Sequence, residues 1–231
     1  MSQLANLITA LSLLCGFISI ILSLEGYFVF SAYAIISSVI LDGLDGGIAR
    51  KNKISSDFGK EFDSLVDVVS FGVAPVLLGY TLLYLHFRVL VGVGSFIYLL
   101  SVVVRLTKYN IAKHAEEHCF IGLPTTVSGG VLASFVLIYS KRVDAILLRS
   151  VPMTFVFLVL ILAYLMVSRV RYLNLDGLKK LFGMRLKWVI LFLLIILSLA
   201  LYWDKIGNTL FCIFLIYLIF SPFVVKRLNS I

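Results

Sequence analysis

Four aspartates are spaced in two pairs that suit chemistry at the ends of two neighbouring helices. Asp42 and Asp45 are three residues apart, and Asp63 and Asp67 are four residues apart. Either spacing places both members of a pair on one face of a helix. The connection between the two segments is short, which predicts that the helices are antiparallel neighbours and that the four carboxylates converge on one pocket.

Ionised carboxylates in apolar surroundings require a counter-charge, because burying each one is costly and like charges disfavour each other's ionisation. Oxygen ligands with no Cys or His nearby favour Mg²⁺, Mn²⁺ or Ca²⁺ over zinc. Four carboxylates suffice for two divalent ions about 3.5–4 Å apart, an arrangement that clamps the attacking and leaving oxygens of a phosphoryl displacement. The spacing therefore predicts a two-metal site for phosphoryl transfer.

Small residues accompany the aspartates. Gly46, Ala49 and Gly59 lie between or beside the two pairs, and small side chains let a ligand or a neighbouring helix approach the backbone closely. Arg50 offers a forked donor that matches a phosphate group. Two further acids of this stretch, Asp57 and Glu61, are off the shared face and are predicted to be solvated charges.

The composition indicates that this chemistry belongs to a membrane protein. Of the 231 residues, 61% are hydrophobic and only 14% are charged, and the mean hydropathy is +1.08. Soluble domains are about 45–50% apolar and about 25% charged. These values exclude a soluble domain, a disordered chain and a fibre. Six of the twelve acids nevertheless lie between residues 42 and 67, which marks that stretch as functional.

Eight apolar segments are predicted to cross the membrane, since a crossing helix needs about 20 apolar residues. A helical bundle satisfies the backbone polar groups in lipid, so the predicted fold class is an all-α polytopic membrane bundle. The predicted spans are 5–24, 27–48, 60–84, 88–110, 125–140, 147–167, 187–203 and 208–225.

Lysine and arginine predict the orientation of this bundle. Sorted over the loops, fifteen lie on one side and five on the other. The richer side is expected to be cytoplasmic, which places both termini and the aspartates at the cytoplasmic face of the inner membrane. The net charge of +8 then records orientation beside anionic lipid, and no nucleic-acid partner is expected.

The aspartate segment resembles the signature of the CDP-alcohol phosphotransferase family at each of its positions. The resemblance implies an integral membrane enzyme with a six-helix core that cleaves the pyrophosphate of a CDP-alcohol with two Mg²⁺ or Mn²⁺ ions. It implies a core over residues 1–172. The remaining residues, 173–231, are predicted to form a basic cytoplasmic linker and two additional transmembrane helices, which exceed that core. The matching string is Asp42-x-x-Asp45-Gly46-x-x-Ala49-Arg50, eight residues, then Gly59-x-x-x-Asp63-x-x-x-Asp67.

The same resemblance implies a role for each motif residue. All four aspartates would be metal ligands, and Asp67 would also be the catalytic general base. The residues expected to border the CDP group are Asp45, Gly46, Ala49, Arg50 and Gly59.

Further motifs are similar to the phosphatidylserine synthase branch of the family, which implies CDP-diacylglycerol and L-serine as substrates and a homodimer. Ser70, Arg105 and Asn110 are candidates for binding the acceptor or a phosphate. Thr125-Thr126 departs from the Pro-Ala pair expected there. The motifs are Ser70-Phe71-Gly72-x-Ala74-Pro75, Arg105-Leu106-x-x-x-Asn110 and Phe120-x-Gly122-Leu123-Pro124.

Two alternatives stay open from the sequence. The same chemistry can serve another acceptor, such as glycerol 3-phosphate or inositol phosphate. A divalent-cation transporter is the alternative of a different class, but transport sites are expected near the membrane midplane. The aspartates lie at one end of their predicted spans, beside a basic loop.

Overall fold

The structure, a computed structural model, describes residues 2–52, 57–83, 87–111, 119–140, 147–173 and 206–228. These residues form eight α-helices, one π-helical segment and two short strands. The helices are α1 Ser2–Leu24, α2 Phe28–Asn52, α3 Asp57–Asp67, α4 Ala74–Leu83, α5 Arg88–Ile111, α6 Thr125–Tyr139, α7 Leu147–Val167 and α8 Ile206–Leu228. The strands are β1 Cys119–Ile121 and β2 Arg171–Leu173.

The predicted all-α polytopic architecture is confirmed. Seven of the eight predicted spans coincide with helices, and the eighth, 187–203, lies outside the described residues. One of the seven, α6, is apolar but shorter than a full crossing, and the part of α7 whose side chains are described, Val151–Val167, is apolar as well. The described segments long and apolar enough to cross a membrane are Ala5–Leu24, Phe28–Gly47, Phe58–Leu83, Arg88–Ile111 and Ile206–Val225.

The third span is continuous but irregular. It passes from α3 through a π-helical segment, Val68–Val73, into α4. Pro75 follows at the start of α4 and has no N–H, so the carbonyl of Phe71 four residues earlier loses its helical donor. The buried Tyr98 hydroxyl of α5 lies 3.0 Å from that carbonyl and donates to it. The irregular turn therefore has a partner for its freed backbone group, immediately after Asp67.

Polar contacts between small side chains join α1 to α2. The hydroxyl oxygens of Ser12 and Ser38 are 2.6 Å apart, and those of Ser19 and Ser31 are 2.9 Å apart. All four side chains are buried. Hydrogen bonds between hydroxyl groups help to hold transmembrane helices together, because the hydrophobic effect does not drive helices to associate within lipid. This pairing fixes the N-terminal helix beside the helix that carries Asp42 and Asp45.

The two strands pair antiparallel, with Phe120 opposite Tyr172. This small sheet unites two segments that are distant in the chain and carries the loop that enters α6. Gly122 has a φ of +80°, and its N–H donates to the carbonyl of Val170 at 2.8 Å. A side chain at Gly122 would collide with the backbone carbonyl of Met166. The glycine therefore lets the loop lie close against the end of α7.

Candidate active site

Three of the four predicted aspartates converge. Asp42 of α2 and Asp63 and Asp67 of α3 each offer a carboxylate oxygen, and these oxygens all lie within 4.8 Å of one another. Asp67 is buried and the other two are half-buried. Carboxylates at this separation repel one another unless a cation lies between them, so this cluster suits a divalent ion.

Asp45 lies beside this cluster but is tied to α1. Its Oδ2 accepts a hydrogen bond from the Thr9 hydroxyl at 2.8 Å, and its Oδ1 accepts one from the Gly46 N–H at 2.6 Å. The side chain is buried. The structure thus separates the four predicted ligands into a group of three and one held by Thr9.

One cavity of about 440 Å³ contains all four aspartates. Its charged lining residues are these four carboxylates and the guanidinium of Arg105, an excess of three negative charges when all are ionised. The remaining lining is mostly small, hydroxylic or aromatic: Val39, Gly43, Gly46, Ser64, Leu106, Tyr109, Phe120, Pro124, Thr125, Thr126, Val127, Leu173 and Tyr217. An excess of negative charge in a partly enclosed space favours divalent cations and a ligand that they bridge.

A hydrogen-bonded chain joins Asp67 to Arg105 through Thr125. The Thr125 hydroxyl donates to Asp67 Oδ2 at 2.9 Å, and Arg105 Nη1 donates to the Thr125 oxygen at 3.3 Å. Asp67 Oδ1 and Arg105 Nε are buried and lack a hydrogen-bond partner among the described residues. A carboxylate oxygen without a donor beside two other carboxylates fits a metal ligand or a base. The unused Nε donor fits an anionic group.

Thr125 was not predicted as a site residue. The only signal in the sequence was the departure of Thr125-Thr126 from the expected pattern directly after Pro124. In the structure, Pro124 precedes the first residue of α6, and this position directs the hydroxyl toward α3 and α5. The contacts of Thr125 with Asp67 and Arg105 depend on how α3, α5 and α6 pack together, which the sequence alone does not show.

The structure separates the three residues predicted to bind the acceptor or a phosphate. Arg105 lines the cavity. Ser70 is buried against α1, where its hydroxyl donates to the Ser12 carbonyl at 3.2 Å, so it has a packing contact and does not line the cavity. Asn110 is exposed and donates to Ser64 at 3.0 Å and to Glu61 at 3.3 Å. Asn110 therefore links α5 to α3 at the rim.

The residues predicted to border the CDP group occupy α2 and the start of α3. Asp45 and Gly46 line the cavity, whereas Gly59 is half-buried in α3 and is not part of the lining. Ala49 and Arg50 lie within α2, but their side chains, like that of Asp57, are outside the described residues. The α2 wall thus carries two of the five predicted CDP contacts.

A family model described as CDP-alcohol phosphatidyltransferase matches residues 2–156. This chain belongs to that family. The predicted resemblance is thereby confirmed, and the aspartate cavity lies within the matched part of this family member except for Leu173 and Tyr217.

Relatives of this CDP-alcohol phosphatidyltransferase carry closely related names. A CDP-diacylglycerol–serine O-phosphatidyltransferase of Helicobacter pylori is 33% identical over 218 residues, which are 94% of this chain and 88% of that protein. An archaetidylserine synthase of Methanothermobacter thermautotrophicus is 33% identical over 178 residues, 75% of this chain and 71% of that protein. The chain also resembles a CDP-diacylglycerol–serine O-phosphatidyltransferase of Bacillus subtilis, with 30% identity over 172 residues, 74% of this chain and 90% of that protein.

Proposed function

We propose that the protein transfers the phosphatidyl group of CDP-diacylglycerol to the hydroxyl of L-serine, giving phosphatidylserine and CMP. The observation that carries this proposal is one cavity that holds a three-carboxylate cluster and a buried guanidinium. Clustered carboxylates suit a pyrophosphate bridged by metal, and the guanidinium suits the carboxylate of an amino-acid acceptor. The names of relatives that align with most of this chain support serine as that acceptor.

The carboxylates fit two divalent ions, Mg²⁺ or Mn²⁺, as the cofactors. Asp42, Asp63 and Asp67 would hold them, and Asp45 would join if its bond to Thr9 exchanged for a metal contact. When bound, such ions neutralise charge on the pyrophosphate and on the departing CMP. The fit rests on Asp67 Oδ1, which has no hydrogen-bond partner among the described residues, and on the all-oxygen donor set.

Asp67 is the proposed general base. A carboxylate oxygen of Asp67 takes the proton of the serine hydroxyl. At the same time the serine oxygen bonds to the phosphorus next to diacylglycerol, and the bond from that phosphorus to the oxygen of CMP breaks. Thr125 holds Asp67 Oδ2, which leaves Oδ1 directed to the reacting groups. Arg105 Nε, buried in the same site, is placed to bind the serine carboxylate or a phosphate oxygen.

The nucleotide is proposed to lie along the α2 wall, at Asp45 and Gly46, with Ala49, Arg50 and Gly59 completing the contacts that the motif implies. The diacylglycerol chains would extend into the cytoplasmic leaflet of the inner membrane. Asp42 lies near the end of Phe28–Gly47 and Asp63 lies near the start of Phe58–Leu83, which supports a site closer to one membrane face than to the midplane. The cytoplasmic termini and the homodimer stay predictions.

An acceptor panel tests the proposed function. Purified protein is given CDP-diacylglycerol with L-serine, glycerol 3-phosphate or inositol phosphate, and CMP release is measured in detergent micelles with Mg²⁺ or Mn²⁺. Serine is expected to support the fastest release, because Arg105 is the only guanidinium in the described cavity lining and a phosphorylated acceptor requires more positive charge.

CMP release no faster with serine than without acceptor contradicts serine as the substrate. Faster release with a phosphorylated alcohol assigns the same chemistry to that acceptor. Divalent-metal flux into liposomes without any CMP release would instead favour a transporter.

Replacing Thr125 with valine (T125V) is expected to lower kcat with serine by about tenfold or more. A hydrogen bond to a charged group contributes about 1.5–3 kcal/mol, and valine keeps the volume while removing the donor to Asp67. The serine variant (T125S) keeps the hydroxyl and should retain most of the activity. The measurement is steady-state CMP release at saturating metal.

The matched control is T126V, because Thr126 also lines the cavity. It is expected to stay within about twofold of the unmodified protein, since the hydroxyl that donates to Asp67 belongs to Thr125 and not to Thr126. Unchanged kcat in T125V, or equal losses in T125V and T125S, would show that the threonine hydroxyl does not orient the base.

A further inference from the structure

The last helix, α8, reaches the catalytic cavity although it lies outside the part of the chain that the family model matches. The match ends at residue 156, whereas Leu173 of β2 and Tyr217 of α8 line the same cavity as the aspartates. The α8 wall thus lies outside the residues that the family model matches.

Specific contacts fix α8 in this position. The Leu173 N–H donates to the Ser221 hydroxyl oxygen at 2.6 Å, and the Tyr217 hydroxyl donates to the Leu173 carbonyl at 2.7 Å. The rings of Tyr172 and Tyr217 stack with centroids 6.1 Å apart. These contacts orient the Tyr217 ring at the point where β2 and α8 meet the cavity.

Glycines in both α6 and α8 let these two helices approach closely. A Cβ on Gly130 of α6 would collide with the ring of Phe214, and one on Gly207 of α8 would lie 2.9 Å from Leu137 Cβ. Contacts this close favour a defined helix position, because packed interfaces tolerate little displacement. The α8 wall is therefore a fixed part of the cavity.

The geometry of phosphoryl transfer assigns this wall to the acceptor. The attacking and leaving oxygens lie roughly in line on opposite sides of the phosphorus. With CMP on the α2 wall, as proposed above, the acceptor would lie against a part of the lining that other elements supply, which includes α5, the strand pair and α8. Residues of this acceptor side are Arg105, Tyr109, Phe120, Leu173 and Tyr217.

We propose that Tyr217 is a specificity-determining residue that contacts the amino-acid acceptor, an inference that rests on the proposed function. The acceptor is a zwitterion, so its ammonium needs a partner as its carboxylate does. Arg105 supplies the partner for the carboxylate. The face of an aromatic ring attracts an ammonium group, and Tyr217 brings such a ring to the acceptor side.

The test is the effect of Y217A and Y217F on the two Michaelis constants, measured by CMP release in detergent micelles. Y217A is expected to raise the KM for serine by about tenfold, as the loss of a cation–π contact in a partly enclosed site implies. The KM for CDP-diacylglycerol should change less than twofold. Y217F keeps the ring and should keep the KM for serine within about threefold.

The matched control is Y164A, since Tyr164 of α7 is 73% exposed and is absent from the cavity lining. Its two Michaelis constants should equal those of the unmodified protein. Thermal unfolding in the same detergent reports whether α8 stays docked. Should Y217A not fold, Y217L replaces it, because leucine fills the space without a ring, and a KM for serine raised about fivefold is then expected.

The inference is overturned if the folded variant without the ring keeps the unmodified KM for serine, or if both Michaelis constants rise together. The proposed function fails separately, when the unmodified protein releases no CMP above background with serine. The role of Tyr217 is then tested by measuring the Michaelis constants of the same variants with whichever alcohol of the panel the protein does use.

Discussion

Replacing Asp67 with asparagine (D67N) is expected to lower CMP release with serine by about 10³-fold, because a positioned base contributes about 10²–10⁴-fold. Asparagine preserves the shape of the side chain and can still accept the Thr125 hydrogen bond. It cannot take the proton of the serine hydroxyl. The measurement is initial-rate CMP release at saturating substrate, repeated over a range of Mg²⁺ and Mn²⁺ concentrations.

The matched control is E61Q in the same helix, which neutralises an exposed acid that accepts a hydrogen bond from Asn110 at the rim. E61Q should retain activity within about threefold, as changes at exposed positions are usually small. D67N with normal turnover at saturating metal would falsify the role of Asp67 as base.

A folding defect is separable from a loss of chemistry in D67N. Without divalent metal, the carboxylates of Asp42, Asp63 and Asp67 repel one another, so removing one charge relieves repulsion. D67N in EDTA should therefore unfold at a temperature no lower than the unmodified protein. A low melting temperature together with low activity would assign the effect to folding.

The convergence of three aspartates is predictable because local rules determine it. Spacings of three and four residues set the helix faces, and a short connection brings Asp42 near Asp63 and Asp67. The contact of Asp45 with Thr9 is not predictable in the same way, since Thr9 belongs to another helix and nothing in its neighbourhood marks it as a partner. Pairwise helix geometry decides that contact.

The placement of Ser70 shows that a motif can mark a residue that does not reach the site. Ser70 was a candidate for the acceptor site because it belongs to the motif Ser70-Phe71-Gly72-x-Ala74-Pro75, and in a regular α-helix a residue three positions after Asp67 would also share the face of Asp67. The segment after Asp67 is π-helical, and a π turn holds more residues than an α turn. Ser70 therefore does not return to the cavity face and instead reaches the Ser12 carbonyl of α1.

The remaining walls of the cavity depend on contacts distant in the chain. Strands of three residues are too short to show an alternating pattern, so the pairing of Phe120 with Tyr172 was not predicted. The position of Tyr217 in the cavity depends on that pairing, because its hydroxyl donates a hydrogen bond to the Leu173 carbonyl of β2. The motif residues give the chemistry, while the tertiary fold determines which side chains face the acceptor.

A D63N substitution is expected to raise the metal concentration for half-maximal activity by about 10²-fold, since losing even an outer partner of a metal site costs about 10–100-fold in affinity. Asparagine still offers one neutral oxygen, so binding weakens without disappearing. Mn²⁺ binding to the purified protein, followed by its electron paramagnetic resonance signal without substrate, gives a readout that is independent of turnover.

The contrast between D63N and D67N separates the two roles that the cluster combines. Asp63 shares the three-oxygen group but is not the proposed base, so D63N should recover much of its kcat at saturating Mn²⁺. D67N should not recover at any metal concentration, because no ion replaces the proton acceptor. Recovery of D67N at high metal would make Asp67 a ligand only. Unchanged Mn²⁺ affinity in D63N would remove Asp63 from the metal site and leave the cluster to Asp42 and Asp67.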